Sequence, residues 1–109
     1  MHGSFLRFYV HENDRIDGRL AWEWLLDQGN KLGIRGGSAF RAMAGFGRHH
    51  VLHAQTFFEL AGTQTVEIEF IVTDEEAERV LELVGKDKNR FFYARIPAQF
   101  GVINTDAAD

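Results

Sequence analysis

The chain has 109 residues and a formal charge of −4, with 12 basic against 16 acidic side chains and no cysteine. That length fits one domain with one core. The composition excludes a disulfide framework, thiolate metal sites and cysteine catalysis, and its acidic balance argues against a general nucleic-acid binder.

No apolar run approaches the ~18 residues of a membrane span, and the Met-His-Gly-Ser start lacks the layout of an export signal. A cytoplasmic protein that is not itself a membrane protein is expected. Residues 4–11 (SFLRFYVH) are aromatic and β-branched enough to predict a strand. After a polar stretch, Leu20, Ala21, Trp24, Leu25, Gln28 and Leu32 recur at helical spacing, with Asp17 placed as N-cap and Gly33 as C-cap. Trp24 belongs to that stripe, and Trp22 is expected to cover a rim or a neighbouring subunit. Residues 34–43 (IRGGSAFRAM) read as extended, with Gly36 and Gly37 marking a bulge or a close backbone approach.

Residues 66–72 give the cleanest strand, with Val66, Ile68, Phe70 and Val72 on one face and Glu67, Glu69 and Ile71 on the other. Thr73 and Glu76 then have the spacing of a capping box. Ala77, Val80, Leu81 and Val84 form a helical stripe that Gly85 is placed to stop. Residues 91–96 read as a last strand, and Pro97 implies that it ends or runs along an edge there. Residues 1–103 are taken as one domain, and 104–109 as a flexible tail.

The order β-α-β-β-α-β is that of an α+β, ferredoxin-like sandwich. It predicts a four-stranded antiparallel sheet in the order 4-1-3-2, two helices on one face and a long loop between the second and third strands. Parity assigns Leu6, Phe8, Val10, Ile34, Phe40, the even residues of 66–72, Phe92, Ala94 and Ile96 to the helix-covered face. The other face is then expected to carry Phe5, Arg7, Tyr9, Arg41, Glu67, Glu69, Ile71, Phe91, Tyr93 and Arg95. Aromatic rings mixed with opposite charges have the composition of a subunit interface, and association is preferred over an open face. In that strand order Glu67 and Glu69 are expected to approach Arg7 and Arg41.

About twenty residues separate Met43 from Thr65, where a hairpin needs two to five. Loops of that length are functional or docked on a partner. Gly45 and Gly47 flank Phe46, and Arg48, His49, His50 and His53 follow. His49 and His53, four apart, would share a helix face as zinc ligands require, but no glutamate lies between them. Polar loop residues are the preferred reading, with the three histidines kept as weak metal candidates. Gly36 and Gly37, with Arg35 and Arg41 nearby, bring backbone N–H groups and guanidinium forks towards an anion. Lys86, Lys88 and Arg90 make a short basic loop that would serve the same purpose, or simply complement a helix C-terminus. No Ser-His-acid arrangement or paired-carboxylate site is visible, so no enzyme is expected.

Taken together, the Gly-rich second strand (LGIRGG), the AGFG loop, His53 with the FFEL run, the segment 66–78 and the closing FYARIP resemble a specific family. It is the PII-like small proteins known as domain of unknown function one-ninety, and the resemblance covers residues 6–102. It implies a ferredoxin-like homotrimer with its sheets facing inward and an adenine nucleotide in clefts between subunits. It also implies a long loop, 44–64, that signals to a regulated transporter, channel or enzyme. By position it places Gly36, Gly37 and Arg41 near the cleft and Gly45, Phe46, Gly47 and Arg48 at the loop root. Lys86, Lys88 and Arg90 fall at the phosphate-binding loop, and Arg95 on the last strand. Residues 85–90 lack the glycine- and threonine-containing loop of true PII proteins. The reading is therefore a non-enzymatic regulatory protein sensing a small anion; the alternative is a divalent-metal-binding trimer of the CutA type.

Overall fold

The computed structural model describes residues 1–46, 53–54 and 64–105. The described elements are, in chain order, β1 (His2–His11), β2 (Arg15–Ile16), β3 (Arg19–Leu20), α1 (Ala21–Lys31), β4 (Gly37–Arg41), β5 (Ala44–Gly45), β6 (His53–Ala54), β7 (Thr65–Thr73), α2 (Asp74–Gly85) and β8 (Phe92–Gln99). Strands β4, β7, β1 and β8 form a four-stranded sheet in that order, and each neighbouring pair is antiparallel. The class is α+β, as the sequence predicts. No helix among the described residues is long and apolar enough to cross a membrane.

The two helices start and stop for different local reasons. Asp17 (φ 51°) and Gly18 (φ 79°) both adopt positive φ in the two-residue turn joining β2 to β3. A tight hairpin turn with left-handed backbone favours Asp-Gly. Asp17 is thus a turn residue and not the expected helix cap. Helix α1 begins four residues later behind Leu20, which provides no side-chain cap. Its end is closed by Gly33 (φ 77°): the N–H of Gly33 donates to the Asn30 carbonyl and that of Ile34 to the Gly29 carbonyl. That pair of bonds is a Schellman closure, which needs the left-handed glycine. For α2 the capping box is present: Thr73 Oγ1 accepts from the Glu76 N–H, and the Thr73 N–H donates to Glu76 Oε1.

Leu6, Phe8 and Val10 of β1 and Val66, Ile68, Phe70 and Val72 of β7 are buried with Ala21 and Leu25 of α1 and Ala77, Val80 and Val84 of α2. Burying a side chain the size of Leu, Val or Phe stabilises the fold by about 1.5–3 kcal/mol. This cluster therefore holds the sheet to the helices.

Register corrects the expected parity on two strands. Residues opposite one another in an antiparallel pair share a face. Tyr93 lies opposite Phe8 and Arg95 opposite Leu6, so the odd residues of β8 belong to the core face, not Phe92, Ala94 and Ile96. Phe91 follows suit, its ring edge-on to Phe8 and stacked on Trp24. On β4, Gly37, Ala39 and Arg41 lie opposite Phe70, Ile68 and Val66, which puts Phe40 on the opposite face. The open face therefore carries Phe5, Arg7, Tyr9, Ser38, Phe40, Glu67, Glu69, Ile71, Phe92, Ala94 and Ile96. Phe92 is 71% exposed there and Phe40 52%. Residues 106–109 of the expected tail lie outside the described residues.

Candidate functional site

A cavity of about 390 Å³ opens between the C-terminal half of α1 and the start of β4. Asn30, Arg35, Gly36 and Gly37 line it, with Phe70 beneath and Asp27 at one side. Asp27 does not leave a bare negative charge, because Arg19 Nη1 (3.1 Å) and Lys31 Nζ (3.0 Å) both pair with it. Hydrogen bonds from Lys31 and then Arg19 hold its carboxyl below the usual aspartate range. Arg35 forms no ion pair among the described residues and is exposed, so its guanidinium is the uncommitted cation of the cavity.

The two glycines of this cavity are glycines for different reasons. A Cβ at Gly37 would lie 2.6 Å from Phe70 Cε1, so the close approach of β4 to that buried ring requires glycine. A Cβ at Gly36 would meet nothing within 4 Å, and its backbone has no positive φ. Neither packing nor conformation demands glycine at 36, and its missing side chain leaves the cavity open.

Arg41, at the far end of β4, is on the core side of the sheet and not on the open face. It pairs with Glu12, not with Glu67 or Glu69. The chain then forms a short hairpin stem, with Ala44 opposite Ala54 and Gly45 opposite His53. That stem was not expected from the sequence; its strands are two residues long, too short to show a period. Phe46 is exposed. Gly47, Arg48, His49 and His50 lie outside the described residues, as do most of 44–64 and the side chain of His53. Among the described residues no three His, Asp or Glu side chains come together as a metal site.

The remaining candidates sit on the opposite edge of the sheet. Lys86, Lys88 and Arg90 follow α2 and are exposed, and Lys86 occupies its C-cap. Arg95 is turned towards α2: Nη1 donates to Glu78 Oε1 at 2.7 Å, Nη2 pairs with Asp74 at 3.4 Å and Nε donates to the buried Ser4 Oγ at 3.4 Å. The bond to Glu78 raises its already high pKa. Arg95 thus ties β8 to α2. A second cavity of about 570 Å³ beside it is lined by Asp74 as well, which disfavours an anion.

Within the chain the described candidate residues are not brought together. Gly37, Phe70, Leu6 and Arg95 mark one row across the sheet. Three strand spacings of about 4.8 Å put the two edges about 14 Å apart. Between the edges, on the open face, Arg7 Nε reaches both Glu69 (2.8 Å) and Glu67 (3.1 Å). Hydrogen bonding to Glu69 raises the pKa of Arg7. The sequence reading missed Asn30, Asp27 and Glu12. Asp27 and Lys31 do show the i, i+4 spacing of a helix ion pair; nothing in the sequence marks Glu12 as the partner of Arg41.

These features define an α+β domain with a partly apolar, charge-paired sheet face and a polar cavity at the root of an edge strand. The chain belongs to the DUF190 family, described as "Uncharacterized ACR", whose model matches residues 3–90. A relative from Aquifex aeolicus (strain VF5), named UPF0166 protein, is 30% identical over 86 residues, which cover 79% of this chain and 82% of the relative.

Proposed function

We propose that the protein is a non-enzymatic, PII-like regulatory protein of ferredoxin-like fold that binds a small anionic ligand, an adenine nucleotide, and works in the cytoplasm. The observation that carries this reading is the cavity at Arg35, Gly36 and Gly37. It joins a guanidinium that forms no ion pair among the described residues to a glycine that neither packing nor a positive φ explains. An anion there meets a charge-assisted donor and can approach the backbone closely.

The open sheet face supports assembly into a homotrimer. Its exposed Phe40, Ile71, Phe92 and Ile96 surround the Arg7–Glu67–Glu69 cluster, a self-complementary mixture of apolar surface and paired charge. The separation of the two groups of candidate residues supports a ligand cleft between subunits. One protomer would contribute its β4 edge and a neighbour Lys86, Lys88 and Arg90. Signalling would follow by population shift. The ligand binds one arrangement of loop 44–64 better than another, and that arrangement fits a transporter, channel or enzyme target.

Calorimetric titration with ATP, ADP, AMP and cyclic AMP, beside Zn²⁺ and Cu²⁺, tests the reading. Saturable binding of a nucleotide that Arg35→Ala weakens at least tenfold is expected. Binding of Zn²⁺ or Cu²⁺ alone would favour the CutA-like metal-binding alternative.

A further inference from the structure

Asp27 and Asn30 stand three apart on α1, so they are neighbours on one helix face. Both line the cavity at the start of β4, and Leu26, Ile34 and Phe70 are its apolar lining residues. Arg19 and Lys31 meet the same oxygen of Asp27, Oδ2, at 3.1 and 3.0 Å. Oδ1 receives no donor among the described residues, and the Asn30 side-chain amide has no partner among them either. Asp27 is partly exposed and Asn30 fully so, and neither is shut off from a ligand. Lys31 and Arg19 hold the Asp27 carboxyl below its usual range. At neutral pH it is therefore ionised and can only accept a hydrogen bond.

We infer that Asp27, helped by Asn30, reads the exocyclic amino group of the nucleotide's base, so that the cavity selects adenine over hypoxanthine. This rests on the reading that the cavity holds the nucleotide. The lining carries one uncommitted cation, Arg35, and one acceptor-only oxygen, Asp27 Oδ1. A phosphate is drawn to the first and repelled by the second, which fixes the direction in which the ligand lies. The base is then left to the apolar residues and to Asp27. The C-terminal pole of α1 lies at the same end and favours a donor there as well. Adenine presents an amino group to Oδ1. Hypoxanthine presents a carbonyl oxygen, and two acceptors brought together leave both unsatisfied. Asn30 cannot discriminate in this way alone, because its amide both donates and accepts and can turn over. Its contribution is the paired contact an asparagine makes with the amino group and adjacent ring nitrogen of adenine.

The test is calorimetry on the full chain at neutral pH with ATP, inosine triphosphate and inorganic triphosphate. Inosine triphosphate differs from ATP in carrying a carbonyl in place of the amino group. The wild type should bind ATP at least tenfold more tightly than inosine triphosphate. Asp27→Asn and Asp27→Ser each bring a donor to the same position and should reduce that preference to about threefold or less, with unchanged circular dichroism. Lys31→Met removes one partner of Asp27 but keeps the carboxylate, and should leave the preference intact. Equal wild-type affinities for the two nucleotides would overturn the base-reading role while nucleotide binding stands. So would a preference that persists in both folded Asp27 variants. Nucleotides bound no better than inorganic triphosphate would overturn it too, leaving an anion site alone. No binding of any of the three would overturn the nucleotide reading and this inference with it.

Discussion

Gly37 lies against the ring of Phe70 so closely that a Cβ at 37 would sit 2.6 Å from Cε1. Gly29 approaches the same ring from α1, where a Cβ would be 2.4 Å away. Phe70 is 2% exposed, so the two glycines set how near the helix and the edge strand come to β7. Gly37→Ala and Gly29→Ala should each destabilise the fold by about 1–3 kcal/mol through overpacking. Urea denaturation measures the loss, and unchanged midpoints would show that the ring yields.

Gly3 presents a harder limit. A Cβ there would fall 1.8 Å from the Val72 carbonyl oxygen, a backbone atom held in the β1–β7 ladder. Backbone has no rotamer with which to give way. Gly3→Ala should therefore cost about 3 kcal/mol or more, or abolish folding, where Gly37→Ala does not. Parallel thermal melts of the two variants check the ranking.

The regular strands were legible and the irregular ones were not, for identifiable reasons. Along β1 and β7 large apolar residues alternate with polar ones or rings, Ile71 alone excepted, so the phase of the pleat is set. On β8 three aromatics in succession, Phe91, Phe92 and Tyr93, suit either phase. Arg95 looks misplaced on the core face until Asp74 and Glu78 of α2 are seen to receive it. On β4 the phase is reversed: Gly37 lies opposite Phe70, whose ring comes so close that position 37 has room only for glycine. The candidate site was legible in part. Gly36 and Gly37 stood out as a pair, but only the surroundings of each separate the glycine demanded by packing from the one that leaves a cavity open.

Arg7 binds two carboxylates at once, and this ranks the variants of the open face. Glu69→Ala leaves the Arg7–Glu67 pair in place. Arg7→Ala leaves Glu67 and Glu69 facing each other without a cation, and a buried unpaired charge is costly in an interface. In the proposed trimer Arg7→Ala should therefore weaken assembly more than Glu69→Ala. Light scattering over a micromolar dilution series checks it. A wild-type mass near 12.4 kDa would show that the face stays in water.

Asp27 supplies an acid-dependent link between the β2–β3 hairpin and α1. Its folded pKa is depressed below the ordinary value of about 3.9 by Lys31 and Arg19. A depressed carboxyl stabilises the fold fully above the unfolded value and loses that contribution as pH falls through the folded one. Asp27→Asn should thus be less stable than wild type at neutral pH, and the gap should shrink below about pH 4. Denaturation at pH 7, 4 and 2.5 reads the difference; a gap independent of pH would mean that the carboxylate's charge contributes nothing.

Adjacent glycines 36 and 37 should respond to substitution with opposite sign. At Gly36 the backbone has no positive φ, and a new Cβ meets nothing within 4 Å. Gly36→Ala should be neutral or stabilise by about 0.4–1 kcal/mol, because it narrows the unfolded ensemble without straining the folded one. Gly36→Val projects a larger side chain into the 390 Å³ space beside Arg35 and should weaken nucleotide binding at least tenfold while the protein stays folded. Calorimetry with ATP, run beside urea melts of the same samples, separates the two effects. If Gly36→Val binds ATP as the wild type does, the cavity is not where the nucleotide sits, and glycine at 36 has no ligand-related reason.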